Sequence, residues 1–358
     1  MNKNYLLLLV PAVLFSIMLS CKSTPEKTEE PLPQKEEAPA LDLSALNDAA
    51  GQAEAARTFA VDFNTPSYFP SDWETVETQY TDAKAMPLDT AEDIQKATDA
   101  YTAVTADYKG LSDKAIPLYA QAREDEIMAS RGTLIGTDFI NSFPEYLDGA
   151  DALALQAQDQ YDSSDYYAAK DTAAAALAKY QALNSGAGAF QTRQEIVTRG
   201  FDAYDPDDFS KADDSGDAAI AAYKAGDIKG AKDSADEAQL RYNLVLNTGW
   251  ASFAAEKGTA AGTMRQQTID AKGNVASRNE FNAADDVYNQ AETAMKGEKY
   301  SDASDLYQKA EAQFADVMKL TEDKRARAEA AIQEAADRAA ASDEAARQAE
   351  EIIGGVSE

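Results

Sequence analysis

From Leu41 onward, apolar residues recur at intervals of three and four over runs of about 15 to 20 residues, and sustained alternation of Val, Ile and Thr is missing. The pattern predicts an all-α protein. A proline or acid followed by an aromatic opens a helix at Pro70-Ser71-Asp72-Trp73, Pro144-Glu145-Tyr146, Pro206-Asp207-Asp208-Phe209 and Asn279-Glu280-Phe281. Those residue types suit a first turn, where N–H groups lack intrahelical partners and the dipole favours negative charge. The aromatics Trp73, Tyr146, Phe209 and Phe281 lie 73, 63 and 72 residues apart, so the chain repeats itself.

About 20 residues after each opening, a second helix carries one ladder four times over: Ile94-Ala97-Tyr101-Val104, Tyr166-Ala169-Ala173-Ala176, Ile228-Ala231-Ala235-Ala238 and Tyr300-Ala303-Tyr307-Ala310. Steps of three and four place all four side chains on one helical face. Small alanines there let a neighbouring helix approach to about 8 Å while tyrosines fill the gaps between turns. Turns with Gly226 and Gly297 precede two of the ladders, and Asp162-Ser163-Ser164-Asp165 takes that place in another. A third helical segment is expected in each unit, closing on Arg131-Gly132, Arg199-Gly200 or Lys272-Gly273, with Arg57-Thr58 ending a lone leading segment. A cation in the last turn before Gly is the ordinary way to end a helix. The other reading is a row of cations able to hold an acidic ligand.

In register, Gly226-Asp227-Ile228 with Ala231, Ala235 and Ala238 resembles the second helix of the tetratricopeptide repeat, Gly-x-Tyr-x-x-Ala-x-x-x-Phe/Tyr-x-x-Ala. Tyr300, Ala303, Tyr307 and Ala310 follow it with one extra residue after Gly297. The units recur at nearly twice the family's spacing of about 34 residues, with longer first helices. The resemblance implies a helical-hairpin solenoid over residues 41–320, with units near 70–132, 143–200, 205–273 and 279–320. It also implies a scaffold that binds peptides or helices of other proteins. The ladder positions themselves are core.

Residues 321–358 form an Ala/Glu-rich segment in which Ile332, Ile352 and Ile353 are the only large apolar residues from Thr321 to Ile353, predicting a long C-terminal helix with little to bury. At the other end, Lys3 and an apolar run from Tyr5 to Leu19 precede Ser20 and Cys21, the only cysteine. This order reads as an export signal over residues 1–20. It resembles a bacterial lipobox, with Met18 where Leu, Val or Ile is usual, which implies acylation of Cys21. Residues 21–40, with Pro25, Pro31, Pro33 and Pro39 among charges, read as a disordered tether. Lys22 after the cysteine favours an outer-membrane position, on its periplasmic face or the cell surface.

The 358 residues carry 63 acidic against 33 basic side chains, a net charge of −30, which opposes binding to phosphate backbones and excludes nucleic acid as a partner. Histidine is absent, removing the histidine base and the histidine-ligated metal sites. No phosphate-binding or nucleophile-elbow motif is present. The aspartates crowded between Asp202 and Asp217 do not follow a calcium-loop pattern and read as an acidic helix start. Trp250, with Phe253, is either a core plug or an aromatic anchor for a partner. The expectation is a lipid-anchored envelope protein without catalytic residues, metal or cofactor, which binds an envelope protein or peptide partner. A periplasmic small-ligand module serving a transporter and a self-associating structural protein are the alternatives.

Overall fold

A computed structural model describes residues 41–354, and Cys21, the export signal and the tether lie outside them. The described residues form twelve α-helices: α1 (Ser44–Asp62), α2 (Thr65–Tyr68), α3 (Pro70–Lys84), α4 (Ala91–Gly132), α5 (Asp138–Ser142), α6 (Glu145–Asp162), α7 (Tyr166–Arg199), α8 (Pro206–Ala225), α9 (Ile228–Asp270), α10 (Gly273–Ala276), α11 (Arg278–Lys296) and α12 (Tyr300–Gly354). A 3₁₀ turn at Phe201–Ala203 lies between α7 and α8. The chain is all-α, and its helices pack in pairs. Among the described residues no helix is long and apolar enough to cross a membrane.

The helix starts fall where the sequence marks them. Pro70 and Pro206 stand in the first turns of α3 and α8, and Asp205 caps α8 by accepting from the Asp208 N–H. Thr90 caps α4 by accepting from the Asp93 N–H, with Glu92 and Asp93 in the positive end of the helix dipole. Ladder helices α7, α9 and α12 begin on Tyr166, Ile228 and Tyr300, each two residues after a left-handed position: Ser164, Gly226 and Glu298. In the last unit that position falls on Glu298, which accounts for the extra residue after Gly297; Gly297 itself has φ −87°.

One expectation is corrected. The second and third segments of each unit are one continuous helix, giving α4, α7 and α9 lengths of 42, 34 and 43 residues, and the C-terminal segment continues the last ladder helix as a 55-residue α12. Pro117, Gly186, Gly188 and Gly249 sit inside these helices without ending them. Packing on both flanks outweighs a cost of about 1 kcal/mol per glycine and about 3 kcal/mol for the proline.

Each long helix packs its N-terminal part on the short helix before it and its remaining length on the next long helix. Thus α4 meets α1, α3 and α7; α9 meets α7, α8 and α12; and α11 lies on α12. The core is therefore a series of small clusters of alanines and rings, such as Ala97, Val104 and Tyr108 with Val76 and Tyr80. Gly249 shows how close the backbones come: a Cβ there would lie 2.4 Å from the Phe201 ring, which is buried on that turn of α9.

α12 departs from this arrangement. Lys324 Nζ still donates to the Ala276 carbonyl and Ser277 Oγ, but every residue from Glu322 to Ile353 is exposed. Beyond Lys324 the side-chain bonds stay within the helix, as in Arg338–Glu334 and Arg347–Glu344, pairs that support it locally by about 0.2–0.5 kcal/mol each.

Candidate interaction site

Three of the four helix pairs are tied by the same three side chains. Arg57 in α1 donates two hydrogen bonds to the Glu77 carboxylate in α3, at 2.6 and 3.0 Å, and Tyr108 Oη in α4 donates to the same carboxylate at 2.7 Å. Arg131, Asp151 and Tyr180 repeat this from α4, α6 and α7, the guanidinium bonds being 2.9 and 3.0 Å. Arg193, Asp213 and Tyr242 repeat it from α7, α8 and α9, at 2.8 and 3.1 Å from arginine and 2.5 Å from tyrosine. Arginine precedes its carboxylate by 20 residues each time, and tyrosine follows it by 31, 29 and 29.

The fourth pair keeps Arg265 on Asp285 but has Phe314 in the tyrosine's place. Phe314 is fully buried against Phe281. A hydroxyl at that position has a carboxylate waiting, as its three equivalents show. Phe314→Tyr is therefore expected to raise stability by about 1 kcal/mol, read as a higher midpoint in urea unfolding. A loss of stability would mean that this pair is packed too tightly for the oxygen.

Electrostatics follow from these ties. Burial pushes the hydroxyls of Tyr108, Tyr180 and Tyr242 well above the ordinary phenol range, and the carboxylate each one bonds adds to the effect. The Arg131 guanidinium holds Asp151 below the usual carboxylate range against burial. For Glu77 and Asp213 burial pulls upward, and the combined bonds from arginine and tyrosine outweigh it. The guanidinium–carboxylate pairs are about a third exposed, so each ion pair contributes at most about 1 kcal/mol. Burial of the tyrosine ring, at about 1.5–3 kcal/mol, dominates each tie.

Of the cations expected at helix ends, Arg57 and Arg131 belong to these ties. Arg199 instead pairs with Glu195 and stacks over Trp250 at 4.3 Å, and Lys272 sits in a left-handed turn at φ 64°. Only Gly200, at φ 71°, is the expected left-handed helix end; Gly132 lies inside α4 and Gly273 opens α10. The crowded aspartates are spent separately: Asp205 caps α8, Asp208 meets Lys211 and Arg241, and Asp213 joins its tie. Among the described residues no group of three or more carboxylates is placed to hold a metal ion.

The ladder residues lie in the packed interior or at its edge. Ala97, Tyr101, Ala169, Ala231, Ala303, Tyr307 and Ala310 are buried, while Tyr166, Ile228 and Tyr300 are half-buried where their helices begin. Trp73 lies 5.2 Å from the Tyr108 ring, Phe209 5.8 Å from Tyr242 and Phe281 5.4 Å from Phe314, so three of the four opening aromatics cover the tyrosine position of their unit. Tyr146 stacks on Phe139 and accepts, through its carbonyl, a bond from Tyr223 Oη in the next unit. Trp250 packs on Phe201 and Phe253.

Two clefts open between units. One, of about 380 Å³, lies among α5, α7, α8 and the start of α9, lined by Phe143, Tyr146, Phe190, Ile220 and Tyr223 with the Arg193–Asp213–Tyr242 tie in its wall. The other, of about 240 Å³, lies among Phe63, α4, α6 and the start of α7, lined by Tyr119, Arg123, Met128, Leu155 and Tyr161. Their rims are apolar and face water: Phe143, Ile220, Leu155 and Met128 are all exposed. The lining of both clefts is mostly apolar and aromatic, which suits apolar groups. Sequence reading missed both the clefts and the ties, although the constant 20-residue step from arginine to acid was there to find. Comparison with family models, curated proteins and solved structures finds no match.

Proposed function

We propose that this chain is a non-catalytic scaffold for protein–protein interaction, held to a bacterial envelope membrane by acyl chains on Cys21. On this reading the paired helices stack as a tetratricopeptide-like solenoid, and the tether of residues 21–40 lets that solenoid reach a protein or peptide partner. The observation that carries the reading is α12, whose residues from Glu322 to Ile353 are all exposed, with Lys324 bonding to the chain at Ala276 and Ser277. Most helical stability comes from packing an apolar face, and a partner helix would supply that packing to this exposed stretch. The strongly shifted tyrosines Tyr108, Tyr180 and Tyr242 support the non-catalytic part, since each hydroxyl is engaged in joining helices. A net charge of −30 favours basic partner surfaces.

The test is capture from membranes of the source cell with the acylated protein, set beside a version ending at Leu320. A specific partner lost on truncation assigns docking to α12, and one retained assigns it to the helix pairs. Absence of any partner with either version overturns the scaffold. Anchoring is tested separately: Cys21→Ser is expected to move the protein from the detergent phase to the aqueous phase on phase separation, and retention in detergent would overturn the lipid anchor.

A further inference from the structure

The four units differ at two positions that face each other. Three residues after the carboxylate of each tie stand Tyr80, Ala154, Gly216 and Tyr288; seven residues before the ring of each tie stand Tyr101, Ala173, Ala235 and Tyr307. In the end units these residues form edge-on ring pairs, Tyr80 with Tyr101 at 6.1 Å and Tyr288 with Tyr307 at 5.5 Å. One hydroxyl of each pair donates to a carboxylate, Tyr80 to Glu54 and Tyr307 to Glu292, the latter at 2.6 Å. In the two middle units both rings are missing, and Ala154 with Ala173, and Gly216 with Ala235, line the two clefts. A Cβ added at Gly216 would meet only Tyr242 Oη, at 3.8 Å, which is ordinary contact.

We propose that each cleft receives a tyrosine side chain of a partner polypeptide, in the place where the end units seat their own; this rests on the scaffold reading and names the chemistry of the partner. The chain itself shows what fills this space: a phenol ring packed edge-on, its hydroxyl donating to a carboxylate. Acceptors are present in both walls, Asp217 in the larger cleft and Glu124 in the smaller. The space left by an absent ring pair is apolar and walled by aromatic residues, which matches a ring by both area burial and edge-to-face contact. The exposed rims, Ile220 and Phe143 on one cleft and Leu155 and Met128 on the other, would be covered by the backbone that carries the ring.

The experiment titrates methyl-labelled full-length protein with the acetylated, amidated peptide Gly-Gly-Tyr-Gly-Gly, with its alanine counterpart and with 4-methylphenol. Saturable shifts of the Ile220 methyls and of the Leu155 and Met128 methyls are expected with the tyrosine peptide and not with the alanine one. The Gly216→Tyr/Ala235→Tyr pair should abolish the Ile220 response alone, and Ala154→Tyr/Ala173→Tyr the Leu155 and Met128 response alone, each variant melting no lower than the parent. If a filled variant does not fold, Ile220→Lys or Leu155→Lys at the exposed rim serves in its place and should weaken binding to that cleft at least tenfold, read from the Leu183 methyls in the larger cleft and the Met128 methyl in the smaller. A response to 4-methylphenol without one to the peptide overturns the polypeptide source, and no saturable response, or one unchanged by filling, overturns the clefts as ring sites. Partner capture that persists when the peptide response is absent leaves the scaffold standing and sinks this proposal alone. A peptide response with no captured partner leaves the clefts as ring sites and overturns the scaffold reading, and with it the partner polypeptide.

Discussion

Replacing Tyr180 by alanine is expected to destabilise the folded chain by about 3–5 kcal/mol, a large share of the total stability of an ordinary domain. Tyr180 is completely buried where α7 crosses α6, and it carries the hydroxyl of the Arg131–Asp151 tie. Truncation leaves a ring-sized void between the two helices and takes one of the three bonds from Asp151. Tyr180→Phe separates the two effects. Asp151 keeps both bonds from Arg131 and a third of its side-chain surface in water, so loss of the hydroxyl alone should cost about 1.5 kcal/mol, the low end for a bond to a charged group. Phe314 already fills the equivalent position without a hydroxyl, which is why the phenylalanine variant is expected to fold normally. Urea unfolding followed by circular dichroism measures both values. Near-equal losses for the alanine and phenylalanine variants would show that the hydroxyl, and not the ring, dominates the tie, against the magnitudes argued above.

The parts of this fold that were legible in the sequence are those written in local periodicity. Ladder residues such as Ala97, Ala231 and Ala303 could be placed in the interior because steps of three and four put them on one face, and the openings at Pro70 and Pro206 because first-turn chemistry is local. The continuity of α4, α7 and α9 was not legible, since Pro117, Gly186 and Gly249 carry the local signs of a break and only packing on neighbouring helices overrides them. The ties failed for a different reason. Their three members come from three helices, and Arg193 and Arg265, which make the bonds, carry no local sign that sets them apart, whereas Arg199 and Lys272 stand beside a glycine. The clefts were half visible: the third ladder position reads Tyr101, Ala173, Ala235 and Tyr307. Nothing local, however, says that its partner three residues beyond the carboxylate loses its ring in the same two units. That takes the tertiary pairing of α6 with α7 and of α8 with α9.

Stability is expected to hold from about pH 5 to the ordinary phenol range near pH 10 and then to fall steeply. Tyr108, Tyr180, Tyr242 and Tyr307 have hydroxyls raised by burial and then by the carboxylates they bond, and burial pushes Tyr223 up to about 12. A raised folded value means that the native chain holds its proton more tightly than the unfolded chain. Below the unfolded value both states are protonated and the contribution is fully present. Above it the unfolded chain loses protons that the native chain retains, and each tyrosine removes up to about 1.4 kcal/mol per pH unit until its folded value is reached. With five such residues the alkaline limb is steep. The acid limb runs the opposite way: Glu77, Asp151 and Asp213 are lowered on folding, so their contribution is present above the ordinary carboxylate range and is lost as pH falls through their folded values. It is the shallower limb, because these carboxylates are only partly buried and because protonation relieves the self-repulsion of a chain with net charge −30. Thermal melts across this range, paired with tyrosinate absorbance, check the account. The buried tyrosines should ionise only together with the loss of helix, and their ionisation near pH 10 in a chain that keeps its helical signal would contradict the arrangement of the ties.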